Sequence, residues 1–369
     1  MFAGFQHGRH RLRAVTITLV AVGALVGIGA PAADAGTAGS AGLFFLPIGS
    51  GSGVIYQAGV QQDFPLGGLT STTQAYSGHF SGQTGGDLII YDPGHGASII
   101  HDDGGTSYSI DSLNVAGIYQ PLIGDFDGNG IDDIFWYGSG TSPDSLWLFR
   151  ADGTHKTVAV NVSGTYRPTV LDANGDGRSD ILWYGPGSAP DSLWLFGPGA
   201  LTHASVAESI SGTYTVVAGH FGKPATGQPA DRIVFYNPSG TDFFWTFDTS
   251  GNHTSAVLPN IDGNYQLIPG QFLEETYGSL FFYAPGSTPE HLWAFGPGPG
   301  GDVSEQTAPQ VNGTYNAQAA DFDGNGLTDI SFTSGTKSII WKFQIAGPIV
   351  QTVLTGLPSP SLVHAIPLK

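Results

Sequence analysis

From Gly117 onward, short apolar runs alternate with polar, glycine-rich turns. The unit that begins there reads YQPLIGDF, an acidic loop, then DIFWYG, SLWLF and KTVAVNV. Runs this short, rich in β-branched and aromatic residues and bounded by Gly, Pro, Asn and Asp, predict strands. The unit recurs: GDFDGNGIDDIFWYGSGTSPDSLWLFRADG (124–153) aligns with LDANGDGRSDILWYGPGSAPDSLWLFGPG (171–199), a period of 47 residues from Asp125 to Asp172. A further intact copy is ADFDGNGLTDISF (320–332), followed by SIIWKF (338–343). Weaker copies begin at GHFGKPATGQPADRIVFY (219–236), GQFLEETYGSLFFYAPG (270–286) and GHFSGQTGGDLIIYDPG (78–94). A small signature precedes most copies: GIY (117–119), GTY (164–166), GTY (212–214), GNY (263–265) and GTY (313–315).

Four antiparallel strands in about 45 residues is the arithmetic of a propeller blade. His79, Asp125, Asp172, His220, Gln271 and Asp321 each start the loop between a first and a second strand. Residues 43–57 read as second and third strands lacking a first, and SLVHAIPLK (361–369) reads as a first strand with nothing after it. Joining the two completes a seventh blade and removes an open sheet edge. The predicted fold is therefore all-β, a seven-bladed β-propeller closed by its C-terminal strand.

Composition agrees with this: of 369 residues, 56 are Gly and 24 Pro, and only 11% are charged. There is no cysteine, so neither disulfides nor thiolate metal sites enter. Arg9, Arg11 and Arg13 precede an apolar run at 14–30, and Ala33-Asp34-Ala35 offers a cleavage site. The expected organisation is a secretory signal peptide (1–35), a short linker (36–42) and the propeller (43–369). The protein would then be secreted, with no membrane insertion after cleavage; an uncleaved anchor is the alternative. Cleavage leaves 9 basic and 29 acidic side chains, a net of −20, which disfavours nucleic acid and anionic membrane as partners.

The stretch DFDGNGIDD (125–133) sets acids or amides at its first, third, fifth and ninth places, a spacing that turns oxygens onto one hard cation. Repeated in strand context, the motif resembles the FG-GAP (VCBS) repeat of the integrin alpha-chain propeller, also found in secreted bacterial proteins and a fungal seven-bladed lectin. The resemblance implies Ca2+, about three ions. The ligand sets it implies are Asp125, Asp127, Asn129 and Asp133; Asp172, Asn174, Asp176 and Asp180; and Asp321, Asp323, Asn325 and Asp329. Ile131, Arg178 and Leu327, at the seventh place, would offer backbone carbonyls only. Other loops depart from the pattern. His79, Ser81 and Gln83 stand where ligands should, the loop after His220 carries Lys223, and Glu274 and Glu275 are out of register.

The tryptophans all fall in second or third strands, where face-to-face blades bury them. On the face opposite the acidic loops, the hairpins and connections would present Asp144, Asp191, Asp242 and Glu290 among tyrosines such as Tyr166 and Tyr214. Carboxylates beside aromatic rings form the candidate ligand-binding surface, although such residues also simply shape turns. No HExxH, G-x-S-x-G, P-loop or strand-borne GxGxxG occurs. The expected function is non-catalytic binding of an extracellular glycan or protein by a monomer. The alternatives are a secreted glycan-cleaving enzyme with its site in the propeller funnel, and a passive wall component.

Overall fold

The computed structural model describes residues 41–366, apart from 65, 67, 84, 103–107, 188, 223–229, 274–276, 299–301 and 346. The expected signal segment, the linker up to residue 40, the loop with Lys223, Glu274 and Glu275, and residues 367–369 lie outside the described residues. Seven four-stranded antiparallel sheets make up the described residues. Six are continuous, at 74–113 (blade 2), 120–160 (blade 3), 167–208 (blade 4), 215–257 (blade 5), 266–306 (blade 6) and 316–355 (blade 7). Blade 1 combines the strands of 42–64 with Ser361–Ile366. That last strand pairs with Gly42–Pro47, from Gly42↔Ile366 to Pro47↔Ser361, and so closes the ring as expected. The first strands of successive blades contact one another all the way round, so they form the innermost layer. Among the described residues no helix is long and apolar enough to cross a membrane.

The second strands carry the core. In Asp133–Tyr137 every residue is buried, because alternate side chains serve opposite neighbours. Ile134 and Trp136 pack toward blade 2, while Phe135 and Tyr137 pack toward blade 4. This explains why these strands read as continuous apolar runs. Fourth strands are the outer edges, and His155–Val160 accordingly buries none of its residues fully.

The G-x-Y signature has a structural reason. A Cβ on Gly164 would lie 2.7 Å from the Tyr166 ring, which folds back over it, and the glycine φ is +134°. Only glycine accepts both conditions cheaply. The tyrosine ending the preceding blade's second strand locks this turn. Tyr137 Oη donates to Gly164 O (2.9 Å) and accepts from Tyr166 N (2.8 Å). The same two-bond clip joins Tyr91 to Gly117 and Tyr119, Tyr184 to Gly212 and Tyr214, and Tyr283 to Gly313 and Tyr315. Tyr236 makes the bond to Gly263 O. Blade 1 differs on both sides. Thr333 pairs with Asn316 where Tyr137 pairs with Gln120, and Leu46 lies on the blade 1 strand opposite Leu362.

On the acidic-loop side the seams are joined by backbone. The carbonyl of the first-place residue accepts from the next blade: Asp125 O from Ser179 N (2.8 Å), Asp172 O from Asp231 N (2.7 Å) and Asp321 O from Ala41 N (2.7 Å). The last of these bonds crosses the closing seam.

Candidate functional site

Each intact acidic loop is shaped by its first aspartate. Asp125 Oδ1 accepts from Gly128 N (2.8 Å) and Asn129 N (3.1 Å), and Oδ2 from Gly130 N (2.7 Å). Asp321 and Asp172 repeat the pattern on Gly324, Asn325 and Gly326, and on Gly175, Asp176 and Gly177. The turn depends on glycines at positive φ, +80° at Gly128 and +83° at Gly130. Seventh-place Ile131, Leu327 and Arg178 each donate a backbone N–H to the fifth-place side chain.

The ninth-place aspartates are fully buried at the base of the loops. Asp133 Oδ2 accepts from Phe126 N (3.0 Å) and Oδ1 from Phe149 N (2.8 Å), so one carboxylate on the second strand ties the start of the acidic loop to the third strand. Asp180 and Asp329 do the same. Burial, with Asp127 and Asp125 nearby, pushes the Asp133 carboxyl up to about 8 against the pull of the Phe149 N–H. Burial also lifts Asp180 and Asp329 to about 8, Asp329 with the added repulsion of Asp323. A divalent cation between these oxygens would replace that repulsion by attraction.

Carboxylate oxygens of Asp125, Asp127 and Asp133 lie within 4.8 Å of one another, as do those of Asp321, Asp323 and Asp329. Burial, opposed by the Asn129 N–H, also raises the Asp127 carboxyl. Both loops therefore fit a hard cation with oxygen ligands. The middle loop is different. Asp176 is held by the Arg178 guanidinium and by Asn174 Nδ2 (3.0 Å), and Arg178 Nε donates to Phe196 O (3.0 Å). In the other two loops the amides of Asn129 and Asn325 make the equivalent bond, to Phe149 O (2.9 Å) and Phe343 O (2.7 Å). The arginine thus places a positive charge on Asp176, where the other two loops place a neutral amide in the equivalent bond.

The opposite face requires a correction. Its hairpins and connections do emerge together, as the Gly140↔Gly164, Gly187↔Gly212 and Gly286↔Gly313 bridges show. The acids do not face solvent: Asp144, Asp191, Asp242 and Glu290 are all buried. Asp144 accepts from Gly138 N (2.7 Å) and Val162 N (2.6 Å), Asp191 from Gly185 N (2.7 Å) and Ile210 N (2.7 Å). Asp242 takes Asn237 N and Ile261 N, and Glu290 takes Val311 N (3.0 Å). These carboxylates act as staples between hairpin and connection, turned to backbone N–H groups rather than to solvent. Tyr166 and Tyr214 are half-buried, each leaning over its own G-x-Y turn.

The outer rim holds residues that sequence reasoning missed. Three consecutive blades stack a third-strand tryptophan on a fourth-strand histidine. The pairs are Trp147–His155 (4.2 Å, 7°), Trp194–His203 (3.8 Å, 14°) and Trp245–His253 (3.6 Å, 10°). Trp136, Trp183 and Trp293 are core, as anticipated, but Trp147 and Trp194 are only half-buried. The signal was present as a histidine opening each of these fourth strands. Beside the second stack lies a groove of about 300 Å³ between blades 3 and 4, lined by Val158, Val160, Asn161, Leu201, Trp194 and His203. The turn Pro198–Ala200 borders it, and Gly199 N donates to Asp127 O (3.2 Å) in the acidic loop of blade 3. Groove and loop are therefore in direct contact.

Seven four-stranded blades, three of them with an acidic turn between first and second strands, define a β-propeller of acidic-loop type. Residues 125–183, which hold the loops of blades 3 and 4, match the family model of the FG-GAP-like repeat. The match falls within blades 3 and 4 of the seven-bladed ring. Among solved structures, a lectin from Agrocybe aegerita described by its recognition of non-reducing terminal N-acetylglucosamine is similar. Its TM-score is 0.66 at 14% identity, over 89% of this chain and 96% of the lectin. A protein from Lactobacillus plantarum gives 0.55 at 12% identity, over 88% of this chain and 99% of its own. A functionally unknown protein from Desulfotomaculum acetoxidans gives 0.51 at 8%, over 89% and 100%. At these identities the likeness shows the fold. Curated proteins give no match.

Proposed function

We propose that the protein is a secreted, non-catalytic, calcium-binding propeller that binds extracellular glycans. The groove between blades 3 and 4 carries this reading. A sugar ring offers one face of C–H groups and a rim of hydroxyls. It suits a shallow site in which an aromatic platform meets polar edges. Trp194 and His203 supply the platform, and Asn161 lies on the opposite wall. The net charge, −18 for the whole chain, argues against nucleic acid as the ligand.

Calcium enters through the groove's edge. Asp127 sits in the loop that the cation would organise, and its carbonyl holds Gly199 beside Leu201. Loss of the ion loosens the loop, then the turn, then the groove wall. The similarity to an N-acetylglucosamine-recognising lectin supports the choice of ligand class and suggests that sugar as the first probe. The mature protein should bind glycans on an array in millimolar calcium, and both chelator and His203→Ala should weaken that binding. His203 is exposed, so its replacement leaves the fold intact. Release of reducing ends from polysaccharide, or an array with no ligand at all, would overturn the reading.

A further inference from the structure

Blade 7 differs from its neighbours on the hairpin face. In blade 6, Tyr265 Oη donates to Pro289 O (3.1 Å) of a long hairpin that covers the ring. In blade 7 the second and third strands are joined by a tight turn, with Ser334 paired to Lys337 and Gly335 at φ +58°. Such a turn is too short to reach over Tyr315. What remains is a cleft of about 260 Å³ lined by Thr314, Tyr315, Phe332, Ser334, Lys337 and Ile339. Its aromatic wall is rigid. Tyr315 N is clipped to Tyr283 Oη (2.8 Å), and the Tyr315 and Phe332 rings meet edge to face at 6.1 Å.

Lys337 is exposed at the mouth, and no ion pair engages it among the described residues. The chain has 12 basic against 30 acidic side chains, so an unpaired cation beside an aromatic cleft is a local reversal of sign. We infer that the blade 7 cleft binds an acidic monosaccharide unit, with the sugar ring against Tyr315 and its carboxylate at the Lys337 ammonium. The volume falls just below the range of pockets that take drug-sized ligands, in keeping with a single sugar ring. Thr314 and Ser334 add hydroxyls that can bond the sugar rim. The inference rests on the glycan-binding reading and names a ligand class for a second, separate site.

The test compares methyl β-D-glucuronoside with methyl β-D-glucoside, which differ only in carboxylate against hydroxymethyl. Binding is read by ligand-observed NMR titration at low salt and again at about 0.15 M salt, where charges are screened beyond roughly 8 Å. The glucuronoside should bind about five-fold tighter, the size of an exposed charge contact, with a smaller margin in salt. Lys337→Gln should abolish the margin and leave glucoside binding unchanged, and Lys337→Arg should retain it. Equal affinity for the two glycosides, or a margin that survives Lys337→Gln, overturns the inference while the wider glycan reading stands on the array result. Binding of neither glycoside, with an array free of ligands, removes both.

Discussion

Replacing Tyr184 by phenylalanine removes one oxygen and two hydrogen bonds. These are the 2.8 Å bond to Gly212 O and the 3.0 Å bond from Tyr214 N. The ring stays, so packing against the neighbouring blade is unchanged and no cavity opens. Each bond contributes about 1 kcal/mol net, and the turn is open enough for water to reach the two freed backbone groups, for a total loss of about 2 kcal/mol. Unfolding entropy near 2 cal/mol/K per residue over roughly 300 residues turns this into a drop in Tm of about 3 °C. Calorimetry and urea titration should agree on the loss, with an unchanged m-value. Tyr137→Phe and Tyr283→Phe sit in other seams, so a triple variant should lose about three times as much. A Tyr184→Phe protein that unfolds at the wild-type midpoint by both methods would show that the clips hold nothing, and that G-x-Y is only a turn signature.

The remaining predictions concern the loops and the buried acids. Native mass spectrometry should show two calcium ions taken up first, in the loops of Asp127 and Asp323, and a third more weakly. Arg178→Leu should tighten the third, since it frees Asp176; a middle loop indifferent to that change refutes the competition. In chelator, Asp133, Asp180 and Asp329 have folded-state values near 8 against 3.8 for the free side chain, so the native state holds more protons across that window. Apo stability should therefore fall as pH rises from about 6.5 to 8.5, and calcium should flatten the slope by holding the acids ionised. Thermal melts across that range decide it, and a rising apo curve would contradict the sign. Asp191→Asn should cost about 2–3 kcal/mol, because an amide nitrogen would then face a buried N–H. Unchanged melting with lost ligand binding would restore Asp191 to a ligand role.

Much of the ring was legible because its cause is periodic. Strand two must be apolar on both faces, and so DIFWY, DILWY and SLFFY announce themselves. The closing strand could be found because the ends of the chain supply complementary fragments of one blade. What the sequence hid depends on burial at long range. Asp144 follows Ser-Pro in a turn-like stretch and reads as exposed, yet its partner Val162 is 18 residues away on a connection whose path the sequence does not reveal. Tyr137 reads as one more core aromatic, since nothing local says its hydroxyl meets Gly164. In the acidic loops, spacing showed where oxygens gather. That Arg178 would neutralise one of them depended on the direction of a long flexible side chain, which spacing does not encode.

Among the described residues blade 1 has no tyrosine clip on either side, and it is also where the first and last described strands meet. The pairing of Gly42 with Ile366 spans nearly the whole described chain. In polymer terms it closes one very long loop, at an entropic cost of about 5 kcal/mol on logarithmic scaling. Contacts of such sequence separation form late, after the local hairpins of each blade are in place. Until then six blades form an open arc with an unpaired edge at Gly42–Pro47, and the backbone bond from Ala41 to Asp321 can hold that edge to blade 7 before the final strand arrives. A cation that fixes Asp321 would therefore act on the timing of ring closure as well as on the finished ring.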